Sequence, residues 1–354
     1  MGKATLFAGV LLAWASTADT AVAALTFAPA TGYSAEEVWA GTDASHFAVE
    51  NGNFYILGAE EVAADQFQNV VRVFNGTSTI EIGRSPVYTT NTYFPDAITV
   101  VDGEVYWAHA RGHPSYDANV YKTSFNGSAW ETTTVLDESE GIGAFSLSTD
   151  GNGVFGVGLD DAGSNVAFFF DDADQYDVFA DIPGDGSGGS GFDPAGNFFA
   201  GAWSVGGDYM SHMYEFSAEQ VGDRLDGTQA TPYTATDAID DHFVPGNASA
   251  VMESDGADLF GTEYNATWTG TDPYAFDLDS GVSTSLGTLS GADTSVSTDM
   301  YYRDGDVFFM GKNDWVSGGE AVIYRVVPEP TSLCLLAGGA LLGLRHRCKP
   351  ERKR

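Results

Sequence analysis

An all-β fold of six four-stranded antiparallel blades around an axis is predicted by three features of this 354-residue chain. A phrase of β-formers, a Gly-centred turn and alternating aromatics occurs six times. Each copy is followed, after a polar gap, by a second strand and turn, and the copies recur at a period of about fifty residues.

The copies are FAVENGNFYILGA from Phe47, ITVVDGEVYWAHA from Ile98, SLSTDGNGVFGVGL from Ser146, GFDPAGNFFAGAW from Gly191, VMESDGADLFGTEY from Val251 and MYYRDGDVFFMGK from Met300. Asn-Gly or Asp-Gly between alternating runs is a hairpin signal, because such a turn needs positive φ at both central residues. The turn glycines Gly52, Gly103, Gly151, Gly196, Gly256 and Gly305 are 51, 48, 45, 60 and 49 residues apart. The second units begin at Val70, Asn119, Asn165, His212, Pro273 and Ala321. Two hairpins per period supply the four strands of one blade.

The sixth copy runs out at Val327 with three strands made. The segment LTFAP, Leu25–Pro29, is expected to supply its outer strand, so that an N-terminal strand closes the ring and removes its free edges. A two-sheet sandwich shares the vocabulary of short alternating strands but not six equal periods. Helix is expected only at the two ends. Tyr55, Tyr106, Phe155, Phe199, Phe260 and Phe308 hold nearly one place in the repeat and read as inter-blade core.

Before the body, residues 1–23 carry one cation at Lys3, an apolar stretch from Leu6 to Ala15, and the small residues Ala21-Val22-Ala23. That order is a helical secretory signal peptide, cleaved after Ala23 or Ala24. The body spans 24–326, and a tail spans 327–354. In the tail, Val327-Pro328-Glu329-Pro330 breaks the incoming element, and Thr331 to Leu344 is apolar. At about 1.5 Å per residue the run makes a helix of roughly 21 Å, short against a hydrocarbon core of about 30 Å. It is followed by Arg345, His346, Arg347, Lys349, Arg352, Lys353 and Arg354, and such a cluster favours the cytoplasmic side.

Proline-broken motif, short apolar helix and basic terminus, in that order, resemble the PEP-CTERM sorting signal of Gram-negative bacteria that make exopolysaccharide. The resemblance covers residues 327–354 alone. It implies an exosortase, a membrane cysteine transpeptidase acting near the motif, as a processing partner. It also implies contact with the membrane, at least transiently, and a place in the cell envelope, on the cell surface or in the extracellular matrix. Cys334 and Cys348 are additions to the pattern, and a plain single-pass anchor is the rival reading.

Removing Lys3 and six tail cations leaves 8 of 15 basic residues, and removing Asp19, Glu329 and Glu351 leaves 47 of 50 acidic ones. The body's net charge is therefore about −39, which repels phosphate backbones and excludes nucleic acid as a partner. Divalent cations, a basic partner or solubility in a salty medium are the positive readings. Both cysteines lie in the tail, so the body has neither disulfide nor thiolate chemistry.

In a propeller the innermost strands line the axis, and ligands meet the loops at one mouth. The residues leading into those strands are Asp43, His46, Asp96, Ser146, Ser190, Asp193, Asn247, Ser249, Ser297 and Asp299. Oxygens of Asp43, Asp96, Asn247 and Asp299 converging on the axis would suit Ca²⁺, a hard cation that takes six to eight of them. A solvated rim of turn formers explains the same residues. Asp171, Asp172 and Asp174 form a second Ca²⁺ candidate, with a solvated turn as its plain alternative. His109 and His113 are four apart, but Pro114 and the strand upstream argue against the helix on which such a pair converges.

No G-x-S-x-G, H-E-x-x-H, P-loop or dinucleotide fingerprint occurs in the body, and no catalytic residue is assigned. Two readings follow. One is a non-enzymatic surface or matrix propeller, sorted by its tail, that binds exopolysaccharide, a surface protein or Ca²⁺ by one face. The other is a metal-dependent hydrolase or lactonase acting on sugar-derived substrates. That reading rests on architectural similarity to gluconolactonase-like six-bladed enzymes, and architecture does not fix function.

Overall fold

The computed structural model of the chain describes residues 25–329, apart from 90–92, 112–117, 138, 140–141, 161, 172, 185, 204–209, 246–250, 265–269, 292–295 and 314–318. The signal peptide, Pro330, the apolar run and the basic cluster lie outside the described residues. Within them, no helix is long and apolar enough to cross a membrane.

The six repeats fold as six blades. The first is built from His46–Glu50, Asn53–Ala63, Gln66–Phe74 and Thr79–Arg84, and the second from Tyr93–Val101, Glu104–Arg111, Ala118–Phe125 and Trp130–Leu136. Ile142–Thr149, Val154–Asp160, Asn165–Phe170 and Tyr176–Asp181 make the third. The fourth orders Gly186–Phe192, Phe198–Trp203, Met210–Phe216 and Asp240–Pro245. In the fifth, Asp258–Tyr264, Thr271–Asp277 and Val282–Ser285 follow a short innermost segment, residues 251–254, which bridges to them at Ser254 and Leu259. Val296–Arg303, Asp306–Lys312 and Glu320–Pro328 form the sixth.

Two kinds of inner turn are used. Asn51-Gly52, Asp102-Gly103 and Asp304-Gly305 have positive φ at both residues, the geometry that matches the right-handed twist of the flanking strands. The third, fourth and fifth turns are wider and put only Gly151, Gly196 and Gly256 at positive φ. There Asp150, Asp193 and Asp255 cap the loop, each accepting two backbone N–H groups at 2.8–3.0 Å.

The ring is closed by an N-terminal strand, but not by the predicted segment. Tyr33–Thr42 is the outer strand of blade six, antiparallel to Glu320–Pro328 from Tyr33 opposite Pro328 to Thr42 opposite Glu320. Thr26–Pro29 instead pairs with Gly287–Ser290, the edge that follows blade five. One side chain of that strand packs inward: the Phe27 ring lies 4.8 Å from that of Phe309 and 5.5 Å from that of Tyr324 in blade six, while Ala28 and Pro29 are exposed. Tyr33–Thr42, largely exposed, shows little alternation.

Helix also occurs where none was expected. Ala218–Leu225 is inserted between the third and fourth strands of blade four. Ser217 and Gln220 form its capping box, with Ser217 N–H donating to Gln220 Oε1 at 2.8 Å and Gln220 N–H to Ser217 Oγ at 3.3 Å. After the helix, Tyr233–Thr234 pairs in parallel with Ala180–Asp181, so the insertion straddles blades three and four. It accounts for the 60-residue spacing in the otherwise even period.

Hydrophobic side chains fill the seams between blades. Tyr55, Tyr106, Phe155, Phe199, Phe260 and Phe308 are all buried, distributed over five clusters around the ring. The sequence expectation for these six positions holds.

Candidate functional site

The innermost strands leave two mouths, one where they begin and one at their turns. Between them the axis is packed. In the sector of blades four to six the inner strands hydrogen-bond across blade boundaries: Met252 and Ser254 N–H donate to the Ser190 and Phe192 carbonyls at 2.9 and 3.1 Å, and Met300 N–H to Val251 at 3.0 Å. From blade six, the buried Tyr301 ring stacks edge-on against Phe47, and its hydroxyl donates to the Ile98 carbonyl of blade two at 3.1 Å. Burial pushes the Tyr301 phenol well above its ordinary pKa, so it stays a neutral donor.

At the start mouth, the structure brings together two of the residues singled out from sequence. The fully buried Asp299 carboxylate accepts from His46 Nδ1 at 3.0 Å and from Phe47 N–H at 2.8 Å. Asp299 thereby holds the His46 ring across the junction of blades six and one. Ser146 and Ser190 are likewise buried and face each other, Ser146 Oγ donating to Ser190 Oγ at 2.8 Å across blades three and four. Ser297 N–H donates to Thr271 Oγ1 at 2.7 Å, tying blade six to blade five. These polar residues stitch blades together. Asp43 stands in a turn at φ 59°. Asp96 lies in the strand Tyr93–Val101, and Asn247 and Ser249 are outside the described residues.

The Asp171 and Asp174 carboxylates are also engaged. Asp171 accepts the N–H groups of Ala173 and Gln175 at 2.8 Å, while Asp174 pairs with Lys122 at 3.0 Å and accepts from Tyr106 Oη at 2.7 Å. Burial works against the Lys122 ammonium, but hydrogen bonds to Glu104, Asp174 and Tyr106 outweigh it and raise its pKa. Asp172 is outside the described residues. Among those described, no group of three or more His, Cys, Asp or Glu side chains could hold a metal ion.

His109 is buried between blades one and two, where Asn69 Nδ2 donates to its Nδ1 at 3.1 Å and the Tyr88 ring lies edge-on. Burial lowers its pKa to about 4, so the neutral ring belongs to the fold. His113 lies outside the described residues.

The turn mouth is open. There all six blades line a depression of about 820 Å³, blades two, three, four and six with their inner turns and blades one and five with the ends of their inner strands, and the inserted helix walls one side through Val221 and Leu225. Its charged lining is mostly carboxylate: Asp102, Asp150, Asp193 and Asp304 come from turns, Glu50 from the end of the first inner strand, and Glu253 from the short inner strand of blade five. Arg303 is the one cation among the described lining residues. It is ion-paired to Glu253, donates from Nη1 to the Tyr302 carbonyl at 2.7 Å, and lies 5.4 Å from the Tyr301 ring centroid. Burial raises the Glu253 carboxyl pKa against the opposing pull of Arg303 and the Tyr302 N–H. A second cavity of about 580 Å³ adjoins the first at Asp102 and Asn152 and contains the Lys122–Asp174 pair.

The residues singled out from sequence lead into the inner strands, whereas the depression forms where those strands end. Its turn residues were on view as hairpin signals. The helix that walls it had two signals, the S-x-x-Q capping box and the long fourth period.

The chain is similar to β-propeller structures. No family model and no curated protein matches it. The solved structure of YCF48 bound to D1 peptide has 13% identity and a TM-score of 0.45, over 88% of this chain and 99% of that one. Apo prolyl oligopeptidase B from Galerina marginata has 12% identity and a TM-score of 0.42, over 74% of this chain and 37% of the oligopeptidase. TolB from Acinetobacter baumannii has 10% identity and a TM-score of 0.35, over 77% and 80% of the two chains.

Proposed function

We propose that this chain is an exported, non-enzymatic propeller that binds a partner in the depression at its turn mouth and is held in the cell envelope by an exosortase-type sorting tail. The observation that carries the binding reading is the convergence of all six blades and one helix on a single depression. The address rests on the signal peptide and the 327–354 pattern. Supporting the binding reading over the hydrolase reading, several carboxylates near the axis are engaged in the fold: Asp299 by His46 and Phe47, Asp150 and Asp193 by their own turns, and Glu253 by Arg303. The excess of carboxylates favours a cationic surface on a protein, or a neutral glycan, over an acidic polysaccharide.

The test is a binding and turnover panel on the purified protein. Saturable binding of a basic protein or glycan from the native envelope, weakened at least tenfold by Asp102→Lys with Asp304→Lys, is the expected result. Turnover of a sugar lactone, glycoside or phosphoester at a defined rate would sink the non-enzymatic reading. Mass spectrometry of the exported form, with and without Pro328→Ala and Glu329→Ala, tests the address: loss of tail processing in the variant supports it.

A further inference from the structure

Glu320 begins the third strand of blade six, at the end of the ring where Leu25 enters. Its Oε2 accepts the Leu25 backbone N–H at 3.0 Å and the Asn313 Nδ2–H at 3.2 Å. Both donors are neutral amides in an unprocessed chain, and no cation pairs with Glu320 among the described residues. A half-buried carboxylate left with neutral partners, in a body of net charge about −39, is an uncompensated charge.

Leu25 is fixed from every side. Its side chain is buried, with its Cδ2 methyl beside Gly311 in the cluster that includes Leu289, and its carbonyl accepts from Tyr324 Oη at 3.4 Å. The strand Thr26–Pro29 follows at once. The nitrogen of residue 25 is thus held against a carboxylate, whatever precedes it in the chain.

We propose that signal peptidase cuts between Ala24 and Leu25, and that the α-ammonium released on Leu25 forms an ion pair with Glu320 that completes the junction of blades five and six. Hydrolysis of the Ala24–Leu25 peptide bond adds one water, leaving a carboxylate on Ala24 and an amine on Leu25 that is protonated at neutral pH. The same nitrogen that donates as an amide then donates as a cation, and charge-assisted hydrogen bonds are shorter and stronger than neutral ones. Val22 at the third position before the bond and Ala24 at the first keep the small-residue character of a cleavage site. Removing the leader therefore tightens the fold at the place where the ring closes.

This inference rests on the export reading for the existence of a cut, and it adds where the cut falls and what the new terminus does. N-terminal sequencing of the exported full chain is expected to read Leu-Thr-Phe-Ala-Pro. A chain beginning at Ala24 would overturn the inference and leave export intact, whereas a chain retaining residues 1–24 would overturn both. A double-mutant cycle tests the ion pair. Glu320→Gln is expected to lower the Tm of the exported chain by about 2–4 °C. The same substitution should lower it by less than half as much in a form carrying Gly-Ser between Ala24 and Leu25, where the ammonium is displaced. Equal losses in the two backgrounds would show that Glu320 serves only as an acceptor for amides.

Discussion

Met252 in blade five donates its backbone N–H to the carbonyl of Ser190 in blade four at 2.9 Å, a sheet-like bond made across a blade boundary rather than within a blade. Such an approach needs a residue without a side chain beside it. A Cβ built on Gly191 would stand 1.7 Å from the Met252 carbonyl oxygen, so no rotamer change relieves the clash. Gly191→Ala should therefore destabilise the protein by at least about 3 kcal/mol, read from urea unfolding. Gly222→Ala, on the open side of the inserted helix, is the control and should be neutral or slightly stabilising.

Acid should weaken the fold through His109. Its folded pKa of about 4 lies below the ordinary value of 6.5, so the contribution of the neutral ring is present above pH 6.5 and is lost as pH falls toward 4. The loss from this residue should be about 2–3 kcal/mol. Unfolding free energies measured across that window should fall less steeply in His109→Gln than in the parent.

The inserted helix should loosen without its cap. Ser217→Ala removes the acceptor of the Gln220 N–H and should cost about 1 kcal/mol. Hydrogen exchange is the direct readout: amides at 220–225 should exchange several-fold faster while those of blade one stay unchanged.

Much of the fold was legible because each blade repeats a local signal. Asn51-Gly52, Asp102-Gly103 and Asp304-Gly305 announce their turns through a backbone geometry that few residue pairs adopt. The outer strand Tyr33–Thr42 was not legible: it faces solvent along most of its length and so carries no apolar alternation, whereas Leu25 and Phe27 pack against blades five and six. The site was harder still. That Asp299 would meet His46, 253 residues away, depends on the angle between blades six and one, which no local spacing encodes. The Glu253–Arg303 pair likewise joins separate blades, and only the assembled ring brings the two together.

Pairing of Tyr33–Thr42 with Glu320–Pro328 closes the ring, and closure gives the depression all six of its walls. Ser34 and Val327 are opposite each other in that pairing, and the body has no cysteine of its own. The decisive measurement is disulfide formation in Ser34→Cys/Val327→Cys with the two tail cysteines replaced by serine. We expect near-complete oxidation in the folded protein with a raised Tm, because the bond closes a loop of nearly the whole chain. Thiols that remain free in the folded protein, or a bond that forms only after unfolding, would contradict the closed six-bladed ring.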